Sequence, residues 1–180
     1  MKVISGTAKG LRLKAPRSAR PTTSLVRAAV FSMLGSVEGC RVLDLFAGSG
    51  AVGIEALSRG ARWVDFVDQD RGSCAAIRHN LRAVGLAERA AVRCASADRG
   101  LRSLETDYDV VFIDPPYAAP GLEGLLAQVA ASPRLGLGVV VVVFHSSRLA
   151  LAPHYDGLGL VRERRHGDTT VSIYRKGEAQ

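Results

Sequence analysis

Asp114-Pro115-Pro116-Tyr117 is a tetrapeptide whose residue types suit an exocyclic amine on a planar base. Consecutive prolines fix the backbone and withdraw two N–H donors, which leaves carbonyl oxygens free to accept. Asp114 and the Pro115 carbonyl can take the two amine hydrogens while Tyr117 stacks on the ring, a contact of about 1–3 kcal/mol. Held in this way the nitrogen keeps its lone pair localised and becomes a better nucleophile. Most of the catalysis is then positioning, with Asp114 also offsetting positive charge as it develops on nitrogen. The competing reading of the tetrapeptide is a rigid turn after a strand.

A second group of residues speaks of a cofactor. Gly48, Gly50 and Gly53 satisfy G-x-G-x-x-G within Asp44-Leu45-Phe46-Ala47-Gly48-Ser49-Gly50-Ala51-Val52-Gly53, between a strand and a helix. Such a loop lets a ligand approach the backbone closely. Asp68, followed by Gln69, closes the next strand 20 residues after Gly48, where an acidic side chain accepts from both ribose hydroxyls. Asp44 lies inside an apolar strand, where an unpaired carboxylate is costly, so a loop N–H or a cationic cofactor is expected beside it. The loop alone serves NAD as well as S-adenosylmethionine, leaving oxidoreductase and transferase both open. The proline tetrapeptide separates them, because hydride transfer gives no reason for those residues.

The elements that must carry these groups alternate from Arg41 onward. Apolar runs at 41–46, 63–67, 91–94, 110–113 and 139–144 read as buried strands. Helical patterns at 51–59, 71–84 and 121–131 lie between them, with a shorter one after Ala97. Near-continuous apolar strands separated by helices predict a parallel sheet covered on both faces. The segments 158–165 and 169–175 flank His166-Gly167-Asp168 and predict an antiparallel hairpin. The fold class is therefore α/β, a doubly wound, mostly parallel, seven-stranded sheet ending in that hairpin. Ahead of it, residues 1–15 read as a β-hairpin turning between Gly6 and Gly10, and Thr22, Thr23 or Ser24 caps a helix through Leu34. The expected organisation is a basic extension over 1–20 and one main domain over 21–180.

Charge points to a partner. The net charge is +7, and seven basic residues (Lys2, Lys9, Arg12, Lys14, Arg17, Arg20, Arg27) precede the first acid, Glu38. Removing those seven from 24 leaves 17 basic against 17 acidic residues, so the whole excess sits at one end. That is the footprint of a phosphate-contacting arm, with Lys9, Arg12, Lys14 and Arg17 as candidate RNA contacts. The arm has no apolar helical stripe, which argues against a membrane surface. Cys40, Cys74 and Cys94 are odd in number and widely spaced, so neither a disulfide framework nor a metal cluster is expected, and no metal is assigned. The basic start lacks the apolar core of a signal peptide, and a cytoplasmic location is expected.

With these residues assembled, the chain resembles the amino-methyltransferases that share a D/N-P-P-Y/F motif, and more closely the RsmD family of small-subunit ribosomal RNA guanine-N2 methyltransferases. The resemblance also rests on Ile4-Ser5-Gly6, Arg20-Pro21-Thr22-Thr23, Val26-Arg27, Phe31, Gly53 through Gly60, and Gly167-Asp168-Thr169. It implies a Rossmann-like class I methyltransferase and S-adenosylmethionine as cofactor. The implied substrate is a guanine of 16S ribosomal RNA within the small subunit or an assembly intermediate, with a monomer as the default state. It implies catalytic roles for Asp114, Pro115 and Tyr117. Cofactor contacts are implied for Arg20, Thr22, Thr23, Asp44, Phe46, Gly48, Gly50, Asp68, Gln69, Ser96 and Ala97. Against the family pattern, Ser24 and Ala28 stand where Asp and Glu are usual, and His145 stands where an acid is common. Ser96 or Asp98 could reach an adenine amine. Adenine-N6 methylation of DNA or another RNA, and RNA binding without turnover, are the alternative readings.

Overall fold

The structure, a computed structural model, describes residues 1–15, 22–116 and 121–177. Thr23 accepts a hydrogen bond from the Val26 amide (3.3 Å) and caps α1, Ser24–Leu34. Strand and helix then alternate through β1 (Arg41–Leu45), α2 (Ala51–Ser58), β2 (Trp63–Asp68), α3 (Arg71–Ala83), β3 (Ala90–Cys94), α4 (Ala97–Arg102), β4 (Val110–Ile113) and α5 (Leu122–Ala131). The chain closes with β5 (Val140–Ser146), β6 (His154–Tyr155), β7 (Leu158–His166) and β8 (Thr169–Lys176).

These strands form one sheet in the order β3-β2-β1-β4-β5-β8-β7-β6. The first five are parallel, and β8, β7 and β6 add antiparallel. Strand order reverses between β1 and β4, which opens a crevice at their carboxyl ends, where ligands bind in such sheets. The sheet has one strand more than the sequence predicts. The two-residue β6 pairs only with Leu158 and Gly159, and a pair that short has no alternation to read.

Side-chain alternation splits the core in two. Val42, Phe66, Phe112 and Phe144 pack under α1, α2 and α3 with Phe31, Ile54, Leu57 and Ile77. Leu43, Leu45, Ile113 and Val143 pack under α4 and α5 with Leu101, Leu125, Leu126 and Val129. Burying each such side chain contributes roughly 1.5–3 kcal/mol, which makes the sheet a rigid platform. By the same alternation Asp44, Asp68 and Asp114 face the α1–α3 side.

The N-terminal hairpin has a single bridge, Lys2 to Arg12, with Val3 donating to Leu11 and Leu13 to Met1. The reason is that α2 takes the amides of Ile4, Ser5, Thr7 and Ala8. The buried Glu55 carboxylate accepts from Ile4 (2.7 Å) and Ser5 (3.0 Å), and Ser58 accepts from Thr7 and Ala8. Gly6 is required here, because its φ is +80° and a Cβ would sit 1.7 Å from the Ser58 carbonyl oxygen. Val3, Ala8 and Leu13 accordingly belong to the main core. No helix among the described residues is long and apolar enough to cross a membrane.

Candidate active site

The chain leaves β1 through Phe46, whose φ is +60°, and turns at Gly48 and Gly50 into α2. Two carboxylates hold this turn. Asp68 accepts from the Gly48 amide (2.7 Å) through one oxygen and from the Asp70 amide (2.8 Å) through the other. Asp44 accepts from the Gly53 amide at 3.0 Å, the loop N–H expected beside it. Gly53 serves packing, since a Cβ there would lie 2.3 Å from the Phe66 ring.

Asp114 follows β4 and donates its amide to the Leu45 carbonyl (3.3 Å), which ties it to the end of β1. Its carboxylate accepts from the Thr22 hydroxyl, so the segment before α1 reaches directly into the site. Pro115 is buried and Pro116 exposed. Tyr117, and likewise Arg17 and Arg20, lie outside the described residues.

Three carboxylates thus converge on one sheet edge, and no ion pair among the described residues includes any of them. Burial pushes the Asp44 carboxyl up to about 8; the Gly53 N–H opposes this, and the like charges of Asp114 and Asp68 add to it. Burial pushes Asp114 up to about 6, against the hydrogen bond from Thr22. Three acids with no paired cation among the described residues are complementary to a positively charged ligand.

The remaining candidates border this edge. Ala95 donates to the Asp68 carbonyl (3.0 Å), bringing the end of β3 against that of β2. Ser96 stands at the amino end of α4 in extended conformation and makes no capping bond with its side chain. Ala97 is buried, Phe46 half-buried, and Gln69 and Asp98 exposed. Lys9, Arg12 and Lys14 are exposed on the N-terminal arm.

Sequence reasoning missed the residues that fasten this arm. Asn80 of α3 accepts from the Lys14 amide and donates to the carbonyls of Lys14 and Ser49, each at 2.9 Å. It therefore joins the arm to the glycine loop. Buried Arg27 donates to the carbonyls of Thr22 and Lys2, both at 2.8 Å, linking the arm to the segment that reaches Asp114. A polar residue on the inner face of a helix was the available signal, since buried polar groups must be paired.

One expectation is corrected, and the place of His145 is fixed. Cys74 and Cys94 form a disulfide, with Cα atoms 6.1 Å apart. The register sets Cys94 opposite Asp68, and the first turn of α3 brings Cys74 to the same place, a proximity that spacing along the chain does not reveal. His145 is a buried member of β5 with its Nε2 2.8 Å from the Ser172 hydroxyl. Ser172 in turn donates to Glu163, and burial lowers the His145 pKa. It lies on the α4–α5 face, opposite the three carboxylates.

The chain matches the family described as "Conserved hypothetical protein 95" over residues 1–175. It is 39% identical to the Bacillus subtilis (strain 168) protein named "Putative rRNA methyltransferase YlbH", covering 98% of this chain and 99% of that one. It is 32% identical to "Ribosomal RNA small subunit methyltransferase D" of Escherichia coli (strain K12), over 100% and 91% of the two chains. The solved structure of "Putative methyltransferase yhhF from Escherichia coli" superposes with a TM-score of 0.90 at 30% identity, covering 100% and 99%.

Proposed function

Because the chain belongs to the RsmD family, described as conserved hypothetical protein 95, we propose that it is an S-adenosylmethionine-dependent methyltransferase of ribosomal RNA. The finer reading is methylation of the exocyclic N2 amine of a guanine in 16S RNA, by a monomer acting on the small subunit or an assembly intermediate. The observation that carries the reading is the position of Asp114. It stands one strand from the glycine loop, on the same sheet edge, with its carboxylate held by Thr22.

The residues present fit the cofactor. Asp68 keeps acceptor capacity beyond its two amide bonds and suits ribose hydroxyls. Asp44, protonated below about pH 8 in the free protein, would ionise beside a cationic ligand, Phe46, Gly48 and Gly50 would line the approach, and Gln69, Ser96 and Ala97 would border the adenine. Thr22 and Thr23, just ahead of α1, border the cleft, and Arg20 is assigned with them to cofactor binding. When bound, S-adenosylmethionine supplies a methyl group made electrophilic by its sulfonium.

This chain's own residues prepare the acceptor. Asp114, ionised above pH 6, accepts from one amine hydrogen and the Pro115 carbonyl from the other, while Tyr117 stacks on the base. The carboxylate then offsets the charge that appears on nitrogen as it attacks. Lys9, Arg12, Lys14 and Arg17 hold phosphates.

The test follows label from S-adenosylmethionine into small ribosomal subunits lacking native base methylation, with digestion to identify the labelled nucleoside. Label in N2-methylguanosine supports the reading, and label in N6-methyladenosine replaces it with the adenine alternative. Asp114→Ala is expected to abolish transfer while leaving cofactor affinity within a few-fold, and full turnover in that variant removes the role given to Asp114.

A further inference from the structure

The C-terminal hairpin carries basic charge that this chemistry does not use. Directly opposed residues of an antiparallel pair share a face. Arg162 and Arg164 oppose Ile173 and Val171, and Arg175 opposes Val140, so all three stand on the α1 side of the sheet. All are exposed, and no ion pair among the described residues involves them. Glu163, the acid between them, points to the other face and accepts from the Ser172 hydroxyl at 2.6 Å. Among the described residues, then, no acid pairs with this row. Met33 and Leu34 of α1, with Val161 and Ile173, line a groove beside Arg162 and Arg175 and give it an apolar floor.

The position of this row relative to Asp114 gives it meaning. β7 runs parallel to β5 with β8 between them, so its carboxyl end lies at the edge that carries the glycine loop. Arg164 opposes Val171, Val171 opposes Phe144, and Phe144 is one residue beyond the Val143–Ile113 pair. Asp114 is also one residue beyond that pair. Arg164 and Asp114 therefore share a cross-strand row and a face, three strand spacings or about 14 Å apart. The N-terminal arm is fastened to α2 and α3 on that same face, on the far side of α1.

We infer that Arg162, Arg164 and Arg175 form a second phosphate-contacting surface, so that RNA is held on both sides of Asp114. Arg162 and Arg164 are about 7 Å apart along the strand, which spreads the contacts along a polynucleotide backbone. The inference rests on the RNA-methylation reading, and its experiment separates the two.

Binding of a small-subunit ribosomal RNA fragment is measured against salt for Arg162→Ala/Arg164→Ala/Arg175→Ala and for a matched variant, Arg62→Ala/Arg102→Ala/Arg134→Ala. Each phosphate contact contributes about 0.7–0.9 to the slope of log K against log salt. The hairpin variant is expected to lose about 2–3 from that slope and to raise KM for RNA at least tenfold, with kcat and S-adenosylmethionine affinity unchanged. The matched variant, with the same charge removed, is expected to change neither. An unaltered slope in the hairpin variant, alongside a reduced slope when Lys9, Arg12 and Lys14 are removed, overturns the second surface and leaves the RNA reading standing. Absence of salt-dependent RNA binding by the wild type overturns both.

Discussion

Replacing Thr22 by Val removes the hydroxyl that donates to Asp114 and leaves the side chain's volume nearly unchanged. Burial holds the Asp114 carboxyl at about 6 with that bond in place. A hydrogen bond to a charged group contributes about 1.5–3 kcal/mol, and one pKa unit corresponds to about 1.4 kcal/mol. Loss of the bond therefore raises the Asp114 pKa by about 1–2 units, to roughly 7–8. At pH 7 the wild-type carboxylate is about nine-tenths ionised, and the variant's falls to between about half and a tenth. If the ionised carboxylate is what receives the amine hydrogen, kcat/KM at pH 7 drops about 2- to 10-fold and recovers toward the wild-type value by pH 9. The assay is methyl transfer to small subunits across pH 5.5–9.5 at saturating cofactor, with Thr22→Ser as the conservative control. The acid limb of the profile should move upward in Thr22→Val and stay in place in Thr22→Ser. An acid limb that does not move, or a loss that persists undiminished at pH 9, would refute the coupling of Thr22 to Asp114 ionisation.

Three further outcomes follow from the same geometry. Asp44, with a folded pKa of about 8 against about 4 unfolded, keeps a proton that the unfolded chain releases between those values. Stability without cofactor should therefore fall as pH rises through that window, by about 1.4 kcal/mol between pH 6.5 and 7.5. Urea unfolding should show that fall in the wild type and a flatter dependence in Asp44→Asn. Replacing Lys9, Arg12 and Lys14 by Ala should lower the salt slope of RNA binding by about 2–3, and an unchanged slope would remove the arm from the interface. The Cys74–Cys94 disulfide closes a loop of 20 residues, so the oxidised protein should lose about 3 kcal/mol of stability on reduction, whereas Cys74→Ser should show no response to reductant.

The chemistry of this protein is written locally in its sequence. A glycine loop must follow one buried strand and an acid must end the next. A proline tetrapeptide must end the fourth strand, because backbone conformation and strand length act over a few residues. Alternation of apolar strands and helices likewise decides the parallel sheet, and with it the edge where Asp44, Asp68 and Asp114 meet. Tertiary structure decided what depends on contacts between residues distant along the chain. Glu55, Ser58 and Asn80 read in sequence as ordinary helical polar residues, yet they capture the backbone of residues 4–14 from 50 to 66 positions away. Thr22 reaches Asp114 across 92 positions. The evenly balanced charge after residue 37 hides a one-sided row, because pairing register sends Arg162 and Arg164 to one face and Glu163 to the other. Residue type determines what chemistry is possible at a position, but the face, neighbour and solvent exposure of that position follow from packing, which is set only when the whole chain has folded.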